Sequence, residues 1–595
     1  MDTKKKNIYV VSLVLSLLIT VSSLFISSYG YGEGLFINYF KEFEIFLYNF
    51  IPMFLLMVLL GFLLKSLRTS FLILSLAVNI GAYVNYIKII YREEPLLARD
   101  VTLVSEAFTM SKKYDLNFTS LNFLVLAAIL VITVILFFKL REFNFDYKFR
   151  WRKVFGFACA MALFTGLFLF NFEKYHALGA GSKLNMWIEL DGYESKGFLY
   201  PFIYSIKSSK AYKYPDYNKK EAEELYNSYN YEDIEEDKKV NVVAIMLESY
   251  KDFYKFQNES FEFESNPYEY FQQLQKESIA GQVVVNSFGG GTFLTETNFL
   301  TGYKHNPPFN KETQSYPRYL REQGYTSYGF HPNVGSFYNR NNIYPKLGFN
   351  GFYEYNNAFK DLSEGMAMDD VFYSYLNQKF DEETAKGPYF SFGVTYQNHG
   401  PYSKEAGDKT FIKWKDGYDQ EWYNYFNNYL SGIEESTNSM NILVEHLRNS
   451  KEPTVLVMYG DHCPSMGDNK ILFDMFGIKH SLDESEGIRN MYETPYIIWA
   501  NNAAKKKLGN DFVGVGRDLE PAFLMNEVFK QIGWTGNEYN QFLTDFTKDV
   551  SILKETWFVI DDVATDSPTE AQQEEIDKFQ NIEYYTSHML DREKD

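Results

Sequence analysis

Hydrophobic positions along this 595-residue chain follow one pattern before residue 175 and another after it. Up to Tyr175 they form five continuous stretches of about 20 residues, at 8–28, 45–64, 70–91, 121–138 and 154–172. As a helix, at 1.5 Å per residue, each is long enough to cross a hydrocarbon core of ~30 Å. Beyond Tyr175, short β-branched runs at 240–247, 281–286, 326–330, 389–395, 454–459 and 496–500 alternate with helical patterns at 267–276, 317–323, 422–449 and 519–532. That alternation predicts helices packed on a mostly parallel sheet. The expected architecture is an N-terminal five-helix transmembrane bundle (1–175), a linker (176–239), an α/β extracytoplasmic domain (240–560) and an acidic, peripheral C-terminal tail (561–595). The linker is read from a polar, Tyr- and Lys-rich stretch broken by Gly and Pro. The tail is read as peripheral despite a helical pattern at 569–580.

Basic residues orient the bundle. They cluster at Lys4, Lys5 and Lys6, at Lys65 and Arg68, and at Lys139, Arg141, Lys148, Arg150, Arg152 and Lys153. With five spans these clusters share one side, and the positive-inside rule makes that side the cytoplasm. The N-terminus is then cytoplasmic, and everything after the fifth span lies outside a bacterial cell membrane. The 92–120 loop also carries Arg92, Arg99, Lys112 and Lys113, against that rule, and is read as an outer loop with a short interfacial helix at 101–113. A basic start followed by one apolar run would also suit a cleaved signal, but four further spans favour an anchor. Small residues at 176–182 leave cleavage after the fifth span open.

A net charge of −19 argues against a nucleic-acid partner, which would call for a basic face. The two cysteines, Cys159 in the fifth span and Cys463 in the outer part, are not placed to pair. The outer domain therefore depends on its hydrophobic core.

Three places carry candidate chemistry, and functional groups in open α/β sheets gather at the carboxyl ends of strands. Glu248 follows the apolar run 242–247. Gly460-Asp461-His462 ends another buried-type run, and oxygen with imidazole ligation suits Mn²⁺ or Zn²⁺. The segment Asn286-Ser-Phe-Gly-Gly-Gly-Thr292 lets the backbone approach a ligand closely and puts Thr292 at a helix start, where an anion is stabilised. Taken singly, each has an ordinary structural explanation: a solvated acid, a turn beside a surface histidine, and a glycine loop with a threonine cap.

Together and in this order, these segments resemble the lipoteichoic acid synthase family of the alkaline phosphatase and sulfatase-like superfamily. Two more segments share the resemblance, Phe330-His331 to Tyr338-Asn339-Arg340 and Val394-Thr-Tyr-Gln-Asn-His399-Gly-Pro401. The resemblance implies a sulfatase-like (alkaline phosphatase-type) catalytic domain in which Glu248, Thr292, Asp461 and His462 hold one divalent cation. That cation is usually Mn²⁺, with Zn²⁺ or Mg²⁺ as alternatives. Thr292 would be the nucleophile. Arg340 and His399 would hold phosphoglycerol with His331, Tyr338 and Asn339 nearby, and His399 is a candidate for proton transfer. The implied reaction moves glycerol phosphate from phosphatidylglycerol to a polyglycerolphosphate or glycolipid acceptor and releases diacylglycerol. Tyr338 stands where the family pattern has Trp, and Cys463 is an unusual neighbour for the metal-binding histidine. A phosphoglycerol or phosphoethanolamine transferase acting on an envelope glycan stays open, as does a non-catalytic membrane sensor or scaffold. A conventional sulfatase is disfavoured, because neither cysteine lies in a C/S-x-P-x-R setting.

Overall fold

The computed structural model describes residues 3–28, 35–92, 95–98, 100, 120–143, 145, 150–179, 189–208, 214–467, 470–554 and 556–590. It divides into two compact units, Met1–Ala211 with Ser336–Asn339, and Tyr212–Gly335 with Arg340–Asp595.

Among the described residues, the first unit contains five helices long and apolar enough to cross a membrane, Ile8–Ser28, Phe43–Leu64, Leu67–Ile89, Leu121–Glu142 and Arg150–Leu169. Lipid tails are as apolar as leucine, so such helices associate through close packing and hydrogen bonds between buried polar groups. Ser22 Oγ donates to Asn79 Oδ1 (2.6 Å), Ser75 and Thr133 share a 2.6 Å hydroxyl contact, and Asn122 Nδ2 donates to the Ile26 carbonyl (2.8 Å). The interfacial helix expected at 101–113 lies outside the described residues.

The stretch expected as a linker is largely folded. Helices Glu189–Lys196 and Leu199–Ser208 belong to the first unit, where Tyr193, Phe198, Leu199, Tyr200 and Ile203 join its buried cluster. Asn49 ties them down, its Nδ2 donating to the Lys196 carbonyl (2.9 Å) and its Oδ1 accepting from Tyr200 N–H (3.1 Å). The helix Lys219–Tyr226 belongs to the second unit and buries Ala222 and Tyr226 in its core.

The second unit is built on an eight-stranded sheet of order β4-β3-β5-β1-β6-β7-β2-β8. Its strands are β1 (Asn241–Leu247), β2 (Ile279–Val284), β3 (Thr326–Phe330), β4 (Gly351–Tyr353), β5 (Tyr389–Val394), β6 (Thr454–Gly460), β7 (Glu493–Ala500) and β8 (Gly514–Val515). As expected, most pairings are parallel, while β7 runs antiparallel to both β6 and β2. Side chains alternate between faces along a strand. On β1, Val242, Ala244 and Met246 enter one core, while Val243, Ile245 and Leu247 enter the other. A sheet buried on both faces explains why these runs read as continuously apolar.

The C-terminal tail is not peripheral. β9 (Val550–Leu553), β10 (Phe558–Ile560) and β11 (Val563–Thr565) form a small antiparallel sheet, and the following helix Glu570–Tyr584 buries Ile576, Phe579 and Ile582 in the main core. Its charged outer face masked this inner stripe in the sequence.

Candidate active site and metal centre

Four adjacent parallel strands, β3, β5, β1 and β6, end on one edge of the sheet. The residues that follow them are therefore neighbours: His331 after β3, the Thr395–His399 turn after β5, Glu248 after β1, and Asp461 with His462 after β6. Pairing carries over into these turns. Asp461 N–H donates to the Leu247 carbonyl (3.1 Å), Thr395 N–H to the Met246 carbonyl (3.1 Å), and Glu248 N–H to Thr395 Oγ1 (3.0 Å). Gly460 has no space for a side chain, since a Cβ would lie 2.0 Å from the Tyr250 carbonyl oxygen.

Glu248, Asp461 and His462 converge so that one ligand atom from each lies within 4.8 Å of the others, and all three are buried. Asp461 Oδ1 accepts from the N–H groups of Ser249 and His462, both at 2.7 Å, and Ser249 Oγ donates to Glu248 Oε1 (2.9 Å). These bonds aim the remaining atoms inward. Asp461 Oδ2 is buried with no hydrogen bond, 3.2 Å from His462 Nε2. His462 Nδ1 lies 2.9 Å from the Cys463 carbonyl, which can only accept, so Nδ1 carries a proton and Nε2 is the ring nitrogen turned inward, a lone-pair donor in the neutral ring.

Packing two carboxylates together out of water is unfavourable. Burial, then the charge of Glu248, pushes the Asp461 carboxyl up to about 7. Burial would lower the His462 imidazole, but the charges of Asp461 and Glu248 and its bond to the Cys463 carbonyl outweigh this and raise it. Two carboxylate oxygens and one imidazole nitrogen, one oxygen lacking any hydrogen bond, form a donor set that fits a divalent cation. Burial raises the Cys463 thiol to about 12, so it stays protonated and does not add a thiolate to that set.

Thr292 opens the helix Thr292–Thr301, and its Oγ1 lies 3.3 Å from His462 Nε2. Gly289, Gly290 and Gly291 precede it at φ of 67°, 147° and 90°, a run that side chains other than glycine strongly disfavour. Gly289 N–H donates to the Cys463 carbonyl (3.0 Å) and Thr295 Oγ1 to the Asp461 carbonyl (2.8 Å), clamping loop and helix to the turn after β6. At the base of the loop, Lys554 Nζ donates to the Val285 carbonyl and to Asn286 Oδ1 (2.7 Å for the latter). Glu520 Oε1, fully buried, accepts from Lys304 Nζ (3.0 Å) and Leu553 N–H (2.8 Å).

His331 is buried, and its Nδ1 donates to the Val394 carbonyl (3.0 Å). Burial, then the charges of Arg340 and His399, hold this imidazole well below its usual range, so it is neutral. His399 is exposed and stacks on Tyr396, ring centroids 4.9 Å apart. Burial, then the charge of Glu248, raises the Tyr396 phenol. Arg340 is fully buried and forms a two-pronged ion pair with Glu296. Tyr338 and Asn339, both at positive φ, lie in the Ser336–Asn339 segment of the first unit. The structure thus brings together Glu248, Thr292, Asp461 and His462 and places His331 and the His399 turn on the same sheet edge.

Sequence reasoning missed Thr395, Tyr396, Thr295 and Lys554. The first two lie in a segment already singled out, but their roles arise from strand neighbours that only the sheet order supplies. Lys554 gave no signal at all.

Residues 240–531 match the sulfatase family model. A putative cyclic beta-1,2-glucan modification protein of Rhizobium meliloti (strain 1021) is 28% identical over 320 residues, covering 51% of this chain and 47% of that protein. Lipoteichoic acid synthase 2 of Bacillus subtilis (strain 168) is 28% identical over 177 residues, covering 28% and 25%. The chain thus spans less than half the length of either curated relative. Among solved structures, the Streptococcus pyogenes phosphoglycerol transferase GacH, in complex with sn-glycerol-1-phosphate, shares the fold. Its TM-score is 0.50 at 18% identity, over 63% of this chain and 95% of that one. Residues 240–531 therefore carry a sulfatase-like domain, with sequence similarity to lipoteichoic acid synthases and the fold of a phosphoglycerol transferase.

Proposed function

We propose that this protein is a membrane-anchored transferase that moves glycerol phosphate from phosphatidylglycerol, through a covalent intermediate on Thr292, to an acceptor at the outer face of the membrane. The observation that carries the reading is the position of Thr292 Oγ1, at the first turn of a helix and 3.3 Å from His462 Nε2 of the buried Glu248, Asp461 and His462 cluster. Those three residues and Thr292 would hold a divalent cation, Mn²⁺ in this reading. When bound, such an ion offsets phosphate charge and makes a hydroxyl easier to deprotonate.

The chain's own residues do the rest. The helix N-terminus favours the Thr292 alkoxide. Oγ1 attacks phosphorus, an O–P bond forms, the bond to diacylglycerol breaks, and His399 protonates the departing oxygen. Arg340 donates to the phosphate oxygens, and neutral His331 offers Nε2 as an acceptor to a glycerol hydroxyl. In the second half, His399 takes the proton of an acceptor hydroxyl, which attacks the same phosphorus and frees Thr292. The acceptor is a growing polyglycerolphosphate chain or a glycolipid. The similarity to a glucan modification protein supports a glycan acceptor as the second reading. The N-terminus is cytoplasmic and the second unit extracytoplasmic, in keeping with the basic clusters between spans.

The test is release of diacylglycerol from fluorescent phosphatidylglycerol by the full chain with Mn²⁺. We expect turnover in wild type and a fall of about 10³-fold or more in Thr292→Ala. Release that persists in the variant would refute the nucleophile. Activity on phosphatidylethanolamine alone would refute the donor.

A further inference from the structure

The helix that starts at Thr292 carries a second carboxylate, Glu296, whose partner lies outside the metal-type cluster. Residues four apart project from one helix face, and side chains lean toward the helix start, so Glu296 leans back toward Thr292. It is fully buried, as is Arg340. Arg340 Nε lies 3.1 Å from Glu296 Oε1 and 3.0 Å from Oε2, and Nη2 lies 2.6 Å from Oε2. The Tyr344 hydroxyl donates to Oε1 at 2.7 Å. Glu296 and Asp461 both act on the buried Tyr459 hydroxyl, and Arg340 acts on His331. The ion pair therefore has electrostatic neighbours in both groups of candidate residues.

A guanidinium held by a carboxylate offers N–H donors in a fixed direction, with its charge already matched. We propose that Glu296 is a positioning and specificity-determining residue, which holds Arg340 one helical turn from Thr292 and cancels its charge, so that the site takes a singly charged phosphodiester in preference to a doubly charged phosphate monoester. This rests on the reading that Arg340 meets substrate phosphate. An unmatched guanidinium in so buried a place would hold inorganic phosphate and monoester products tightly and slow turnover.

The experiment titrates inorganic phosphate into the full chain, in detergent with Mn²⁺, by calorimetry, for wild type, Glu296→Gln and Glu296→Asp. It needs no lipid donor, so it reads out even where the donor assignment fails. At about pH 8, where phosphate is mostly a dianion, Glu296→Gln should bind it about tenfold or more tightly than wild type, and the gain should shrink at about pH 5.5. Glu296→Asp keeps the charge but is one methylene short. It should bind phosphate as wild type does and lose about tenfold or more in kcat for diacylglycerol release. A folded Glu296→Gln chain that binds phosphate no more tightly overturns the proposal, as does wild-type turnover in Glu296→Asp. If Glu296→Gln does not fold, Glu296→Asp decides alone. Persistent release by Thr292→Ala would sink the proposed function while leaving the phosphate titration readable.

Discussion

Asp369 is fully buried at the start of the helix Asp369–Thr384, where its Oδ2 accepts from Ser436 Oγ (2.6 Å) and its Oδ1 from the Gln397 N–H (3.3 Å). Burial pushes its carboxyl up to about 6, against these hydrogen bonds and with a small addition from Asp370. The folded state thus binds a proton that the unfolded state gives up near the ordinary carboxylate value. Its stabilising contribution is complete below about pH 4 and is lost as pH rises through about 6. In Asp369→Asn that dependence should vanish, so the stability gap between wild type and variant should change by on the order of 3 kcal/mol over this window. Urea unfolding at stepped pH measures it, and a constant gap would refute the assignment. None of this is visible in the sequence, where Asp369 is one acid among many. Glu248, Asp461 and His462 were legible because each follows an unbroken apolar run, and such runs end at a common edge when the strands are parallel. The pairing of Glu296 with Arg340 was not, because it joins residues 44 positions apart through a contact no local pattern encodes.

At the scale of elements, the helix Glu570–Tyr584 shows how a polar outer face misleads. Its run of Glu, Gln and Asp suggested a solvated appendage, yet Ile576, Phe579 and Ile582 recur every three residues and are all buried. Phe579 stacks on Phe546 with centroids 4.7 Å apart and meets Phe523 edge-on at 5.8 Å. Truncating it leaves a cavity the size of a ring, so Phe579→Ala should cost about 3–5 kcal/mol of unfolding free energy, read by denaturant titration. A cost under about 1 kcal/mol would return the helix to the periphery. The six strands anticipated from apolar runs all form, with ends shifted by a few residues. Of the eight-stranded sheet, the two that escaped notice, β4 and β8, have three and two residues, too few for an alternating pattern to register.

For the whole molecule, the main consequence of the division into two units is independence of the second core. Both hydrophobic clusters around the eight-stranded sheet are built from residues of Tyr212–Asp595 alone. A chain starting at Tyr212 should therefore fold without the membrane helices. It should unfold in one cooperative transition and gain thermal stability with Mn²⁺, as a ligand specific for the native state must confer. Calorimetric melts with and without the ion check both, and an apo chain that melts without a transition would show that the core needs the anchor.

The grip of Lys554 on Val285 and Asn286, with Glu520 bonded to Leu553 beside it, also sets a timetable. A ribosome releases the Thr292 loop first, then the turn bearing Asp461 and His462, and only afterwards the lysine that braces the loop from below. Domains assemble as their parts emerge. The loop bearing Thr292 therefore waits on a later segment before it is fixed in place, and a polypeptide terminated between the two would lack that brace.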